Sequence, residues 1–269
     1  MVGRVSLDGV HCEASAPLFG PGDRAVLAGD GVVETMRARF GRIIGRDRHL
    51  ARWASSLDAL RVDLPAERRA AVGDELDALA REATADLELL VRLTAYADGP
   101  PHTLITVDAL TAAHIARREG FAVRSVEAPP RWAEHKSPSR AWAGFVRRAA
   151  APAEPLLVDP RRRHVLEGAT WNVFALAGTT LLTPPADGRI LPGISRSVVL
   201  DLASHLGLAT VVDALSLEDL SDLGAVFATN ALLVAAPILS INGAPLHGGG
   251  RAREVCAAIR ASYDEFAGP

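Results

Sequence analysis

One lysine, Lys136, stands among 29 basic residues; every other strong cation is an arginine. The two differ in a way that matters for chemistry, because a lysine amine can lose its proton and attack a carbonyl whereas a guanidinium stays protonated. In a chain that has turned to arginine wherever a fixed charge suffices, a retained lysine is either a solvated survivor or a position that needs an amine. Lys136 lies in HKSPSR, residues 135–140, after an extended run and before a helical one. Three further segments carry candidate groups. Glu167 opens EGATWNVF, and Gly193-Ile194-Ser195 sits in ILPGISRSVVLDLA, ahead of an apolar helical pattern. A helix that starts there would turn the free amides of Ile194 and Ser195 towards an anion, with Ser195 as the N-cap. Arg52, in HLARW, is a fork able to grip two oxygens of a phosphate, or else a helix-surface charge.

These groups need elements to hold them. Strands are expected over 4–7 and 32–40, then a turn at Gly41 and a short strand at Ile43 and Ile44. Leu50, Trp53, Leu57 and Leu60 recur at helical spacing, which predicts an amphipathic helix over 47–62 with Asp47 as its N-cap. A second helix follows Pro65, and the apolar runs 87–95 and 103–107 read as buried strands. The pattern weakens over 108–119, which reads as a linker. Beyond it come a strand over 121–126, a break at Pro129-Pro130, a helix over 139–151 and a strand around 156–158. A hairpin within 165–182 turns at Gly178, and the helix capped by Ser195 ends near Gly207. The expected organisation is a small α/β domain over 1–108, a linker over 109–119 and a larger domain over 120–269.

With 49% hydrophobic residues and a formal net charge of -3, the composition is that of a globular chain and lacks the basic excess of a nucleic-acid binder. Cys12 and Cys256 lie far apart, with neither a metal-ligand spacing nor a disulfide framework, so no metal site is expected and reduced cytoplasmic thiols are. No membrane partner is expected either: the longest apolar run, 225–239, is interrupted by Asn230 and Pro237.

RAVLAGDGVVET (24–35), HLARW (49–53), HKSPSR (135–140), EGATWNVF (167–174) and ILPGISRSVVLDLA (190–203) occur in that order, and as a set they resemble the class IV aminotransferases, the fold type IV pyridoxal-phosphate enzymes. The resemblance implies an α/β (α+β) fold of two domains, a small N-terminal one and a larger C-terminal one with a β-barrel-like core. It implies pyridoxal 5'-phosphate as cofactor, Lys136 as the Schiff-base lysine that also shuttles the substrate proton, Glu167 against the pyridine nitrogen, and Arg52, Ile194 and Ser195 on the phosphate. The family's last phosphate contact falls in FATNALLVAAP, where Thr229, Asn230 and Ala231 stand, although Ala231 lacks the hydroxyl many transaminases have there. Asn172 is expected to make a structural hydrogen bond only.

Substrate recognition departs from the family pattern. The stretch that would carry a carboxylate-binding arginine in D-amino-acid transaminases reads LTAYADGPPH (93–102) and has none. Val33, Arg37, Arg39, Tyr96 and Arg140 are the candidate substrate residues, with Arg92 and His102 as further polar groups. The expected activity is amino transfer from an amino acid, D-amino acids favoured, or from an amine, to a 2-oxo acid. Asn230-Ala231-Leu232 and Arg140 resemble the aminodeoxychorismate lyase branch, the branched-chain transaminases are a second alternative, and a cofactor carrier without turnover is the non-enzymatic one. The family assembles as homodimers, and one is expected here.

Overall fold

A computed structural model describes residues 3–81, 87–97, 101–128, 133–139 and 141–268. Arg140, Pro129-Pro130 and positions 98–100 of the LTAYADGPPH stretch lie outside the described residues. The chain divides into two compact units, and the division is not a single cut: unit 1 is Met1–Thr111 with His135–Arg140 and Gly268–Pro269, and unit 2 is Ala112–Glu134 with Ala141–Ala267. The lysine-bearing segment therefore packs with the N-terminal unit.

Unit 1 contains strands β1 (Arg4–Leu7), β2 (Val10–Cys12), β3 (Gly31–Arg39), β4 (Arg42–Ile43), β5 (Leu89–Tyr96) and β6 (His102–Ala109), and helices α1 (Arg24–Leu27), α2 (Arg46–Ala59) and α3 (Ala66–Ala80). The strands form one sheet in the order β2-β1-β6-β5-β3-β4. Period-two alternation explains its two faces. Val32, Met36 and Ala38 of β3 and Leu89, Val91, Leu93 and Ala95 of β5 bury against Trp53 and Leu57 of α2 and Val72 and Leu76 of α3. Glu34 occupies the same face of β3, a carboxylate on a core-facing position. The N-cap of α2 is Gly45, in the left-handed region at φ 69°, rather than Asp47. Asp47 instead sits in the first turn, where its charge favours the positive end of the helix.

Unit 2 opens with a short helix, α4 (Ala112–Ala116), and a 3-10 turn (Arg117–Glu119), where the sequence suggests a linker. It continues with β7 (Phe121–Glu127), α5 (Ala141–Ala150), β8 (Glu154–Val158), β9 (Val165–Gly168), β10 (Asn172–Ala177), β11 (Thr180–Thr183), α6 (Ile194–Ala203), β12 (Ala209–Val212), α7 (Leu217–Leu223), β13 (Val226–Thr229), β14 (Ala236–Ile241), β15 (Ala244–Pro245) and α8 (Gly249–Phe266). Eight of these strands follow the path β12-β11-β10-β13-β14-β7-β8-β9, and β15 adds to β14. β9 ends that path and β10 lies well inside it, yet only residues 169–171 join them, so the sheet has to curl back on itself. The expected hairpin is β10–β11, with Gly178 at φ 59° in its turn. The apolar run 225–239 resolves into β13 and β14, separated by the turn at Asn230.

Candidate active site

In unit 1 the lysine segment is fastened to the exposed edge of β3. β4 pairs with β3 only at Ala38 and Arg39, which leaves the Val33 amide unpaired in the sheet; it donates to the Lys136 carbonyl at 2.8 Å. Gly29, at φ 58°, lets the chain at Ser139 pass close by, since a Cβ there would stand 3.0 Å from the Ser139 amide nitrogen and Cα. One residue along β3, Glu34 is 1% exposed. It accepts a fork from Arg52, Nε to Oε1 at 2.8 Å and Nη2 to Oε2 at 2.7 Å, and a third contact from His49 Nδ1 at 2.7 Å. His49 and Arg52 are three apart on α2, hence on one face.

The three groups set one another's protonation. Burial alone would raise the Glu34 pKa, but the Arg52 charge and the hydrogen bonds from His49 and Arg52 outweigh it and hold the carboxyl far below the carboxylate range. For His49, burial dominates and lowers the pKa despite Glu34, and the charges of Arg52 and Lys136 push the same way. His49 is therefore neutral and donates its Nδ1–H to Glu34. The consequence for stability has a definite sign. Below the ordinary histidine value of 6.5 the unfolded chain takes up a proton that folded His49 refuses. Below the ordinary glutamate value of 4.5 the unfolded chain takes up one that folded Glu34 refuses. Stability should be fully present above about pH 6.5 and fall in two steps on acidification. Melting temperatures measured across this range check it, His49→Gln should remove the upper step, and a flat profile between about pH 7 and pH 5 would contradict the assignment.

The expected substrate residues of β3 and β5 share the face opposite the helices. Val33, Arg37 and Arg39 alternate with the core positions of β3, and the register Gly31↔Tyr96 and Thr35↔Arg92 puts Tyr96 and Arg92 on the same side. Their surroundings differ. Arg37 is buried and paired with Glu88 at 3.0 Å, the Arg39 guanidinium lies over the Phe40 ring, Tyr96 packs edge-on against Phe19, and His102 pairs with Asp8 at 2.6 Å.

Unit 2 explains the EGATWN spacing. Gly168 donates its amide to the Trp171 carbonyl at 2.7 Å, and the indole of Trp171 covers Gly168 so closely that a Cβ would lie 2.0 Å from a ring carbon. The turn delivers Glu167 and Asn172 side by side. Glu167, 5% exposed, accepts from the Leu191 amide at 3.1 Å and from Asn172 Nδ2 at 3.3 Å. Asn172 also donates to the Leu191 carbonyl at 3.0 Å, and its Oδ1 stands 1.9 Å from where a Cβ on residue 193 would be, so only glycine fits there. Asn172 thus makes the structural hydrogen bonds expected of it, and they couple the Glu167 carboxylate to the loop that opens α6.

Gly193, not Ser195, is the N-cap of α6. The first intrahelical bond runs from the Ser197 amide to the Gly193 carbonyl at 2.9 Å, so the amides of Ile194, Ser195 and Arg196 precede the helical ladder. The Ser195 hydroxyl is buried and bonded to the Tyr263 hydroxyl of α8 at 2.9 Å, so it is the backbone amide, not the hydroxyl, that could meet an anion. Asn230 spends its side chain inside the unit: Oδ1 accepts from the Leu232 and Leu233 amides at 2.9 and 2.7 Å, and Nδ2 donates to the Thr170 carbonyl at 3.1 Å. It ties the turn after β13 to the EGATWN turn, and Ala231 follows it without a polar side chain.

Sequence reasoning passed over Glu34 and Arg196. Glu34 left a signal, a carboxylate on the apolar face of a strand, which needs a buried cation nearby. Arg196 left none, since it reads as an ordinary member of a helix. No group of three or more potential metal-binding side chains occurs among the described residues.

A two-unit mixed α/β fold, with a carboxylate wired to a helix N-terminus in one unit and a lone lysine beside a buried arginine fork in the other, defines the class of pyridoxal-phosphate fold type IV proteins. The chain belongs to the amino-transferase class IV family, whose pattern matches residues 31–241. A branched-chain-amino-acid aminotransferase of Arabidopsis thaliana is 35% identical over 81 residues, which are 30% of this chain and 21% of that protein. A putative branched-chain-amino-acid aminotransferase of Methanocaldococcus jannaschii is 26% identical over 238 residues, 82% of each chain. The match thus spans about a fifth of the plant relative and about four-fifths of the archaeal one. Among solved structures, a hypothetical aminotransferase from Mycobacterium tuberculosis in its PLP-bound form superposes with a TM-score of 0.87 at 24% identity, over 97% of this chain and 98% of that one.

Proposed function

We propose that this protein is a pyridoxal-phosphate-dependent transaminase that moves an amino group from an amino acid, D-amino acids favoured, or from an amine, to a 2-oxo acid. The observation that carries the reading is the Glu167–Asn172–Leu191 network, in which a buried carboxylate is fixed relative to the loop that opens α6. The residues fit the cofactor: a carboxylate for a ring nitrogen, free helix amides for a phosphate, and Thr229 Oγ1, buried and without a partner among the described residues. When bound, pyridoxal 5'-phosphate supplies an aldehyde that captures amines and a protonated ring that draws electrons from the substrate carbon.

The chain's own groups do the rest. Lys136 Nζ would be the amine that holds the cofactor aldehyde and, once a donor has taken its place, the base that carries the proton lost by the substrate carbon. Glu167 would stand against the ring nitrogen and favour its protonated form. In unit 2 the amides of Ile194 and Ser195 would meet the phosphate; in unit 1 Glu34 fixes the guanidinium of Arg52, which the resemblance implies as the phosphate's cation. Glu167→Gln should retain the cofactor yet slow the single-turnover conversion by an amino donor about a hundredfold, because the electron-withdrawing charge is weakened. Unchanged turnover would remove Glu167 from the chemistry.

LTAYADGPPH lacks the arginine that binds the substrate carboxylate in the familiar D-amino-acid transaminases, so the carboxylate site is non-standard, and it is on this ground that a D-amino acid held by another group, or an amine, is favoured. The names of the relatives favour a branched-chain donor instead, and Asn230-Ala231-Leu232 favours aminodeoxychorismate lysis with release of pyruvate. Profiling the purified protein with both enantiomers of a broad amino-acid panel, with amines and with aminodeoxychorismate decides among them. Inertness towards every donor would sink the transaminase. We place the protein in the cytoplasm as a homodimer, supported by its two free cysteines and by exposed Val26, Leu27 and Phe40 in unit 1. A monomeric mass at full activity would overturn the assembly.

A further inference from the structure

Where the 3-10 turn of Arg117–Glu119 meets the first residues of β7 and β8, unit 2 carries a pocket of about 360 Å³, large enough for a small organic molecule. Arg117, Phe121, Val123, Arg124, Ala153 and Glu154 are among its lining residues, and the resemblance assigns none of them to cofactor or substrate. The rim is fixed by packing. Gly120, at φ 121°, brings the 3-10 turn so close to β14 that a Cβ would lie 2.8 Å from the Pro237 carbonyl oxygen and from Leu239 Cδ2. Arg117 is then held from two sides: its guanidinium lies over the Phe121 ring, 5.1 Å from the centroid, and its Nη2 stands 2.9 Å from Glu154 Oε1. The Phe121 ring is braced in turn by Trp171, edge-on at 5.7 Å.

Neither the charge nor the hydrogen bonding of this pocket closes on itself. Two arginines line it against one glutamate, which leaves one net positive charge, and Arg124 is exposed with no ion pair among the described residues. Arg117 Nη2 is buried and, for all its nearness to Glu154, donates no aligned hydrogen bond among the described residues. A dianion would overshoot the charge and face Glu154, and a neutral apolar molecule would leave both guanidinium groups without an acceptor. A monocarboxylate matches the charge and offers two coplanar oxygens to a guanidinium fork, while an apolar body suits Phe121, Val123 and Ala153.

We infer that the pocket at the start of β7 is a binding site for a small monocarboxylate with an apolar body, Arg117 and Arg124 taking the carboxylate and Phe121 and Ala153 the body. The site goes beyond the activity proposed above and does not rest on the cofactor assignment. Because its cation is already stacked and braced, little side-chain freedom is lost when the ligand enters.

The test is calorimetric titration of the cofactor-loaded protein with 3-methylbutanoate, which has neither an amine nor a ketone and so cannot enter amino transfer. Wild type should bind it with a dissociation constant of about 1 mM or tighter. Arg117→Met and Arg124→Met should each raise that constant about tenfold or more, and Ala153→Phe, which fills the pocket, should abolish the binding. Arg124 is exposed, so its variant keeps the test open if Arg117→Met does not fold. 3-Methylbutanamide, of the same shape without the charge, should not bind, and inorganic phosphate should compete no better than chloride at matched ionic strength. Absence of binding in wild type overturns the site. So does equal binding of the amide, equal displacement by phosphate, or a dissociation constant unchanged in both Arg124→Met and Ala153→Phe, which would put the carboxylate elsewhere. The cofactor assignment fails separately, if wild type forms no borohydride-reducible adduct at Lys136.

Discussion

Lys136→Ala is expected to lower amino transfer by about four orders of magnitude or more, the largest effect of any single substitution in this chain. The reason begins with composition. No second lysine exists, so no neighbouring side-chain amine can take over, and no arginine can, because a guanidinium does not give up its proton at any workable pH. Local structure then fixes the amine. The Val33 amide holds the Lys136 carbonyl to the edge of β3, and Gly29 admits the following turn, so the side chain starts from a backbone that the sheet anchors. Lys136→Arg should be as inactive as Lys136→Ala although it keeps the charge, which separates an electrostatic role from a nucleophilic one. Borohydride reduction of the loaded protein, digestion and mass spectrometry should find the cofactor on the peptide containing residue 136 in wild type and on none in either variant. A stable adduct in Lys136→Ala would assign the chemistry to another amine.

How much of this was legible beforehand differs between the two units for physical reasons. β3, β5, β6 and the helices over them follow from alternation and helical periodicity because each buries one clean apolar face, as Val32, Met36 and Ala38 do against Trp53 and Leu57. Helix starts were less legible. Asp47 and Ser195 have the side chains of N-caps, but Gly45 and Gly193 take the position, the first through a left-handed backbone and the second because Asn172 leaves no room for a Cβ. Such constraints come from residues distant in sequence and leave no local trace. The curl of the large sheet is likewise hidden, since it depends on the three-residue connection from β9 to β10 rather than on either strand. Among the candidate site residues, those with a special chemistry or a recurring motif, Lys136 and Glu167, stand out in the sequence itself. Arg196 does not: a buried guanidinium held, among the described residues, only by the Pro184 carbonyl and the Thr183 hydroxyl is defined by what surrounds it, and that is known only in three dimensions.

Glu34→Gln should produce the largest loss of stability at any position outside the apolar core, about 3 kcal/mol or more, which corresponds to a melting temperature lower by about 6 °C or more. Glu34 is the one carboxylate in a buried group that also contains the Arg52 fork and neutral His49. Its attraction to Arg52 is strong enough to overcome the burial that would otherwise protonate it. Exchange for an amide keeps the shape and one acceptor oxygen, removes the charge and turns one acceptor into a donor aimed at groups that already donate. The cost therefore comes from stranding a guanidinium that is 10% exposed rather than from losing a contact as such. This origin makes the double substitution informative. Arg52→Met alone strands the carboxylate, and Glu34→Gln with Arg52→Met strands no charge, so the pair together should cost less than the two singles summed, by about 2 kcal/mol. Strict additivity would mean that Glu34 and Arg52 are held independently and that Glu34 does not aim the fork. Cofactor retention gives a second axis: Glu34→Gln keeps Arg52 in the chain but loosens its direction, so the dissociation constant for pyridoxal 5'-phosphate should rise, while the double variant should release the cofactor no faster than Arg52→Met, because a fork that is absent cannot be misdirected.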